Sequence, residues 1–392
     1  MTSEAADDPA TPERLPLSTL LREWGRIGCI GFGGPPTHIA LLRELCVRRR
    51  GWMSEKDFED AIAACNLLPG PASTQLAIYC AWRLRGRAGA LAGGAAFIVP
   101  GLIVIIALAA LFLASSPPRW VLGAGAGAGA AVAAVAVHAG WSLVPASWNR
   151  GGTRVRWVFY LAAGGAASAT VGSWLVLVLI ACGLVELVIQ RSARTDRLFS
   201  VAQLPLLAAT VGGSGGLLSL SWVALKVGAL SYGGGFVIIP LMRSDAVSHY
   251  HWMTAGQFLN AVALGQITPG PVVQTVAVVG YAAAGVGGAL LAALVAFSPS
   301  FAFILLGGKR FDQIRSNRSV RSFLDGAGPA AIGAILGSAV PLAAALSEAW
   351  QYAVLAGAAC LLLVVRAGIV TTLLLAGIVG VAIVLGGGSL PH

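Results

Sequence analysis

Long apolar stretches, separated by short polar and basic segments, make up most of this chain. Five of them carry almost no charge: residues 88–114, 122–139, 158–189, 285–306 and 354–385. About 20 apolar helical residues cross the hydrocarbon core of a bilayer. The stretches lack the alternation of apolar and polar residues that a membrane barrel requires, and they are rich in Ala, Leu and Gly. The pattern therefore predicts an all-α, polytopic membrane protein that is embedded in a lipid bilayer.

Composition and charge agree with this class. Of the 392 residues 57% are hydrophobic and 11% are charged, and the mean hydropathy is +0.81. A soluble domain carries about a quarter charged residues. The net charge of +10 comes from basic residues in short loops, which indicates membrane orientation and not nucleic-acid binding. Residues 1–14 form a polar, acidic tail without the pattern of a signal peptide.

An internal repeat relates the two halves of the chain. An offset of 200 residues aligns many identical residues, of which ten pairs lie at or near the motifs discussed below. The first-half members are Gly33, Gly34, Arg43, Trp52, Met53, Phe58, Pro69, Gly70, Pro71 and Phe97, and the second-half members are Gly233, Gly234, Arg243, Trp252, Met253, Phe258, Pro269, Gly270, Pro271 and Phe297. We therefore divide the chain into the tail, a first transmembrane repeat (15–197) and a second repeat (198–392).

Loop charges predict that the two repeats are inverted in the membrane. Segments 43–56 and 83–87 are strongly basic, whereas their counterparts 243–256 and 283–287 keep only Arg243 and two histidines. At the next loop the pattern reverses, because the first half has only Arg119 and segment 309–321 has five basic residues. Basic loops stay in the cytoplasm, so equivalent loops face opposite sides, as in many secondary transporters.

A Pro-Gly-Pro triplet interrupts a pair of short segments in each half. Segments 57–68 and 72–82 flank the first triplet, and segments 258–267 and 272–281 flank the second. Each is about 18 Å long or less as a helix, too short to span the bilayer. We interpret each pair as a re-entrant hairpin whose tip reaches the midplane, the alternative being a plain turn between helices. Irregular backbone at that depth is tolerated inside protein or against a water-filled cavity.

The hairpin tips carry groups that suit an anion. Helix N-termini after proline expose backbone N–H groups at the positive end of the helix dipole. The candidate substrate-binding residues at the tips are Pro69, Gly70, Ser73, Thr74 and Gln75 in the first half and Pro269, Gly270, Gln274 and Thr275 in the second.

Glycine blocks interrupt one further apolar segment in each half. Gly33 and Gly34 break the first and Gly233 and Gly234 the second, and we include all four in the predicted site. Arg26 and Lys226 precede these breaks and are candidates to bind the anion, since a cation at depth costs ~3 kcal/mol unless it is paired or hydrated. The alternative is that their side chains snorkel to the surface. If segment 198–211 adds a crossing, each glycine block is the turn of a second hairpin.

Other chemistry is scarce. The six cysteines lie mostly in apolar segments without metal spacing, and the histidines are scattered, so we predict no metal, no cofactor and no catalytic set. His38 is either a polar loop residue or a proton-coupling residue. Glu186 lies in an apolar run close to Arg191 and is interpreted as snorkelling. The chain is therefore not expected to be an enzyme.

At these same residues the chain resembles the chromate ion transporters, in their two-domain form. The motifs that carry the resemblance are Phe32-Gly33-Gly34-Pro35 with His38, Leu68-Pro69-Gly70-Pro71 with Ser73-Thr74-Gln75, Thr268-Pro269-Gly270-Pro271, and Phe297-Ser298-Pro299-Ser300-Phe301.

The resemblance implies chromate export across a bacterial-type cytoplasmic membrane, conferring chromate resistance, with sulfate as a similar dianion. The family usually has lysine at the position of Arg26, and arginine binds oxyanions through a planar fork rather than as a point charge. An oxyanion channel and a sulfate-type uptake carrier are the alternative functions. A homodimer is among the oligomeric states that the sequence leaves open.

Overall fold

The computed structural model describes residues 15–65, 70–149, 153–170, 175–192, 216–231, 236–307 and 317–391. Within these ranges the chain is helical and has no strand. The first half contains α1 (Leu17–Ile30), α2 (Pro35–Arg43), α3 (Glu55–Cys65), α4 (Ala72–Phe112), α5 (Arg119–Ala130), α6 (Val132–Trp148), α7 (Arg154–Thr170) and α8 (Leu175–Ser192). The second contains α9 (Leu217–Leu230), α10 (Ile238–Arg243), α11 (Ala255–Ile267), α12 (Thr275–Gly307), α13 (Arg318–Ala343), α14 (Ala349–Ala359) and α15 (Ile369–Leu385).

The repeat is visible in the backbone as well as in the sequence. A π-helical segment follows α2 at Glu44–Arg49, and another follows α10 at the equivalent positions, Ser244–His249. Among the described residues, four helical stretches are long and apolar enough to cross a membrane: Ala72–Phe112, Arg119–Trp148, Val272–Gly307 and Arg318–Ala343. The predicted fold class, an all-α multi-pass membrane protein built from two repeats, is confirmed.

Helix α4 folds back on itself at Gly86, whose φ is +64°. A Cβ on Gly89 would lie 2.3 Å from the carbonyl oxygen of Ala81, and one on Gly93 would lie 2.5 Å from the Ala81 Cβ. Gly89 and Gly93 are eight and twelve residues after Ala81, so both can lie beside Ala81 only if the chain reverses between them and that residue. Residues 72–85 are thus a short arm and residues 87–112 a long arm, and the long arm of about 39 Å is sufficient to span a bilayer. α12 reverses in the same way at Gly285.

The chain also reverses at the first glycine block. Ile27 and Ile30 of α1 share a groove with Leu41 of α2 and with Leu45 of the π-helical segment. Glu23, further back on α1, pairs with Arg49 at 2.5 Å. Residues earlier in α1 thus contact residues later in the segment that follows the glycine block. This pattern shows that α1 and α2 run antiparallel. Of the two sequence interpretations, the second hairpin is therefore the one that the structure shows, with Gly33 and Gly34 at φ +96° and +76°.

Helices are exchanged between the halves. α13 of the second half packs on α7 and α8 of the first, and α15 packs on α5. Glycine makes these contacts close, since a Cβ on Gly164 would lie 1.9 Å from the Ala330 carbonyl oxygen and one on Gly127 would lie 2.1 Å from that of Ala376. Small residues let membrane helices approach closely. By the 200-residue offset, α13 is the equivalent of α5 and α6. Each half therefore packs its equivalent helix against the last helices of the other half, α13 on α7 and α8 and α5 on α15.

Candidate functional site

The second-half Pro-Gly-Pro tip meets the first-half glycine block. The backbone N–H of Gly270 donates to the carbonyl oxygen of Gly31, at 3.0 Å. The tip also lies on the long arm of α4, where a Cβ on Gly101 would be 2.0 Å from the carbonyl oxygen of Pro269. In the reciprocal contact, a Cβ on Gly70 would be 3.3 Å from Ser300 Oγ on α12. Both tips are therefore buried, and each lies against a helix of the other half.

The first tip presents a helix N-terminus. α4 begins at Ala72, and Pro71 is its N-cap residue, one position earlier than the first-turn position expected from the sequence. The N–H groups of Ala72, Ser73 and Thr74 have no partner among the described residues, because such groups precede the first intrahelical bond. Ser73, Thr74 and Gln75 are all buried. The positive end of a helix thus faces the interior of the protein.

The second tip differs in detail. A short 3₁₀ turn, Val272–Gln274, precedes α12, so the α-helix begins at Thr275. Thr275 Oγ1 donates to the Val272 carbonyl oxygen, whereas Gln274 Nε2 crosses to the carbonyl oxygen of Ile98 at 2.8 Å. Gln274 therefore connects the halves, and Thr275 completes its own turn.

Several buried polar atoms at the tips lack a hydrogen-bond partner within the part of the chain that the structure describes. They include Thr74 Oγ1, Gln274 Oε1 and Ser300 Oγ. Buried polar groups are nearly always satisfied, so a cluster of such atoms indicates water or a ligand. Ser300 is absent from the sequence-based set of site residues, although its Ser-Pro-Ser motif was the available signal.

His38 joins both hairpins of the first half. Its Nε2 is 2.9 Å from the Gly31 carbonyl oxygen, and its Nδ1 is 3.3 Å from Ser73 Oγ. The ring is fully buried and packs edge-on against Phe97. It is therefore not a polar loop residue, and the proton-coupling alternative remains.

A partly open cavity of about 500 Å³ leads to the first tip. At one end it is lined by Gly33, Pro35 and Gly70 of the two hairpins, together with Phe236 beside the second glycine block. At the other end lie Ser147 of α6, Trp157 of α7 and Asp325 of α13. The cavity therefore extends from the first tip and the first glycine block to the region where α6 ends and α13 begins.

The two candidate cations do not contact the tips. Arg26 is exposed, in the groove between α1 and the π-helical segment. Lys226 Nζ is 2.6 Å from Asp245 Oδ2 and 6.0 Å from the Trp222 ring centroid. Lys226 is therefore paired within the protein, with a residue 19 positions further along the chain. The role of either cation in anion binding stays a prediction.

Glu186 is also paired inside the protein. Its carboxylate accepts hydrogen bonds from Arg156 Nη2 at 3.1 Å and from Tyr160 Oη at 2.9 Å, and Glu186 is buried. The interpretation that it snorkels to the surface is therefore wrong. Among the other site predictions, Pro69, Gly233 and Gly234 lie outside the described residues.

Helices that break inside a duplicated multi-pass bundle, with one break at the end of a cavity, are typical of membrane transporters. The chain belongs to the chromate transporter family, whose model matches residues 18–187 and 218–381. The same model thus matches both halves.

Individual relatives agree along most of the chain. A "Chromate transport protein" of Cupriavidus metallidurans is 31% identical over 352 residues, 86% of each chain. A protein of the same description from Pseudomonas aeruginosa is 30% identical over 361 residues, 88% of this chain and 85% of the relative. A "Probable chromate transport protein" of Synechococcus elongatus is 29% identical over 338 residues, which are 83% of this chain and 84% of the relative. No solved structure matches.

Proposed function

We propose that the protein is a secondary transporter that exports chromate, or a similar tetrahedral oxyanion such as sulfate, across the cytoplasmic membrane and so confers chromate resistance. The observation that carries the proposal is the helix N-terminus at the first hairpin tip, which has unsatisfied polar atoms beside it and lies at the end of a cavity. The names of the relatives support chromate as the substrate.

The tips suit an oxyanion because they offer directed donors at close range. Three backbone N–H groups of α4 and the hydroxyls of Thr74 and Ser300 are available to the several oxygens of a tetrahedral anion. Binding through backbone and hydroxyl donors selects for shape and charge together. Chromate and sulfate share both, so we expect them to compete.

Contacts of the second tip favour a carrier over a channel. Gly270 of this tip is bonded to Gly31 at the first glycine block, and Pro269 lies on Gly101 of α4. A carrier exposes its site to one side at a time and reopens on the other by moving such contacts. The basic residues near the cavity's outer end, Arg154, Arg156 and Arg321, favour the cytoplasmic side. Export of a dianion from a negative interior is then downhill by ~2.3 kcal/mol per charge at 100 mV.

Reconstitution into liposomes tests the proposal. We expect saturable chromate flux that excess sulfate inhibits, and lower chromate accumulation in cells that produce the protein, dependent on the membrane potential. Single-channel conductance would support the channel alternative, and higher accumulation the uptake carrier. Absence of chromate and sulfate flux in every arm would overturn the proposal.

A matched pair of serines provides the control for the site. Ser300 is fully buried beside Gly70, and Ser298, two residues earlier, is exposed and bonded within its own helix. We expect Ser300→Ala to raise the chromate KM at least fivefold and Ser298→Ala to leave it unchanged. Equal effects would remove Ser300 from the site.

A further inference from the structure

The hydrogen bonds of His38 determine where its protons lie. A carbonyl oxygen can only accept, so Nε2, 2.9 Å from the Gly31 oxygen, carries a hydrogen. In the neutral ring Nδ1 is then an acceptor, and Ser73 must donate its hydroxyl proton to it across the 3.3 Å contact. With neutral His38, the Ser73 hydroxyl has only lone pairs left to offer an anion at the tip.

Protonation of His38 reverses this bond. Nδ1 becomes a donor to Ser73 Oγ, and the hydroxyl proton of Ser73 is free to turn toward the first turn of α4. The same event adds a positive charge beside the helix N-terminus. A bound dianion therefore gains a hydrogen-bond donor and a cation from one proton.

We propose that His38 takes up a proton together with the oxyanion, and that Ser73 transmits the protonation to the anion site. His38 is thus a positioning residue that couples proton and anion binding. This inference rests on the proposed oxyanion transport. It assigns the coupling ion, and each dianion would cross with one proton and a net charge of −1.

The charged groups on the surrounding helices do not provide this charge. Those on the elements packed around His38 are Arg22, Glu23 and Arg26 of α1, Arg43 of α2, Glu44, Arg48 and Arg49 of the π-helical segment, and Arg83, Arg85 and Arg87 of α4. On α1 and α2 the nearest cations are Arg26 and Arg43, each about 8 Å along the helix axis from Gly31 or His38. Glu23 is neutralised by Arg49 and Arg50.

Other titratable groups lie near the tips. Cys29 of α1, Tyr79 and Cys80 of α4 and Tyr281 of α12 belong to the same hairpins, and Cys65 ends α3. The acidic residues of α3, Glu55, Asp57, Glu59 and Asp60, lie in its first two turns, at the opposite end from the tip. His138 and Asp325 line the cavity and are the competing candidates for proton uptake. An unpaired dianion in such surroundings is costly, so uptake of a proton with it is favoured.

Proton uptake by the wild-type protein is the first test and needs no variant. Purified protein in weakly buffered detergent receives sodium sulfate, which remains a dianion between pH 6 and 8, and the pH change is recorded. We expect about one proton per bound sulfate and, above the titration of His38, an affinity that falls about tenfold per pH unit, as linkage requires. Sulfate binding without proton uptake would overturn the inference.

Two variants locate the coupling. His38→Gln keeps an N–H donor for Gly31 but cannot bind a proton, so we expect weaker sulfate binding that is independent of pH. Ser73→Ala leaves His38 free to titrate, so we expect weaker binding with proton uptake retained. A wild-type pH slope in His38→Gln would overturn the inference and favour His138 or Asp325. Failure of the wild-type protein to bind either sulfate or chromate would instead overturn the proposed function.

Discussion

The backbone N–H of Gly270 donates a hydrogen bond to the carbonyl oxygen of Gly31, with 3.0 Å between the two atoms. Gly270 lies at the Pro-Gly-Pro tip of the second repeat, and Gly31 directly follows α1 of the first repeat. His38 donates to the same carbonyl oxygen, since Nε2 faces it at 2.9 Å. One oxygen atom therefore connects the second-half tip to the residue that we propose binds the proton, and movement of the tip would change the surroundings of His38.

The first prediction is that equivalent loops of the two repeats lie on opposite sides of the membrane. In a background without the native cysteines, we expect Arg87→Cys to be labelled by an impermeant thiol reagent only from the cytoplasm and Gly287→Cys only from outside. The reason is the opposite charge bias of the two loops. Labelling of both from the same side would exclude inverted repeats.

Close contact between the halves at Gly101 is the basis of the second prediction. A Cβ there would be 2.0 Å from the Pro269 carbonyl oxygen and 2.6 Å from Gln274 Oε1. We expect Gly101→Ala to displace the second tip, to lower stability by about 1–3 kcal/mol and to reduce chromate flux at least tenfold. Gly357→Ala is the control, since nothing lies within 4 Å of its added Cβ. Normal flux in Gly101→Ala would show that the tip position is not needed for transport.

Backbone conformation at Gly70 gives the third prediction. Gly70 has φ +122°, and an added Cβ would lie 2.5 Å from Gln75 Nε2. We expect Gly70→Ala to cost about 1–3 kcal/mol in strain and to raise the KM for chromate by reorienting the first turn of α4. Gly51 also has a positive φ, +61°, but no atom within 4 Å, so Gly51→Ala controls for strain alone. Equal KM values in the two variants would contradict the prediction.

The ion pair of Lys226 gives the fourth prediction. Lys226→Gln leaves Asp245, 6% exposed, without its cation, so we expect a loss of on the order of 3 kcal/mol in thermal unfolding experiments. Exchange of the charges, Lys226→Asp with Asp245→Lys, should restore part of that stability. If instead Lys226→Gln lowers chromate and sulfate affinity together with no change in stability, the lysine binds the anion as the sequence first suggested.

The fold class and the hairpin tips could be predicted because their signals are local. The Pro-Gly-Pro triplets, the 200-residue repeat and the basic loops need no knowledge of distant contacts. Ser300, Gly101 and the partner of Lys226 could not be predicted in this way. Ser300 and Gly101 reach the tips only because the chain reverses at Gly285 and Gly86, and Lys226 meets Asp245 only because α9 lies beside the π-helical segment that follows α10. His38 shows the same limit, since its two bonds connect separate hairpins.

Exchange of helices between the repeats has a mechanical consequence. Because α13 packs on α7 and α8, and α15 packs on α5, a plane drawn between the two repeats would cut through close glycine contacts such as those of Gly164 and Gly127. The repeats therefore cannot rock against each other as two rigid blocks, as halves do in carriers whose repeats are spatially separate. A rigid body that moves during transport must combine helices from both repeats. The surface along which such bodies slide must then lie between these exchanged helices and the hairpins.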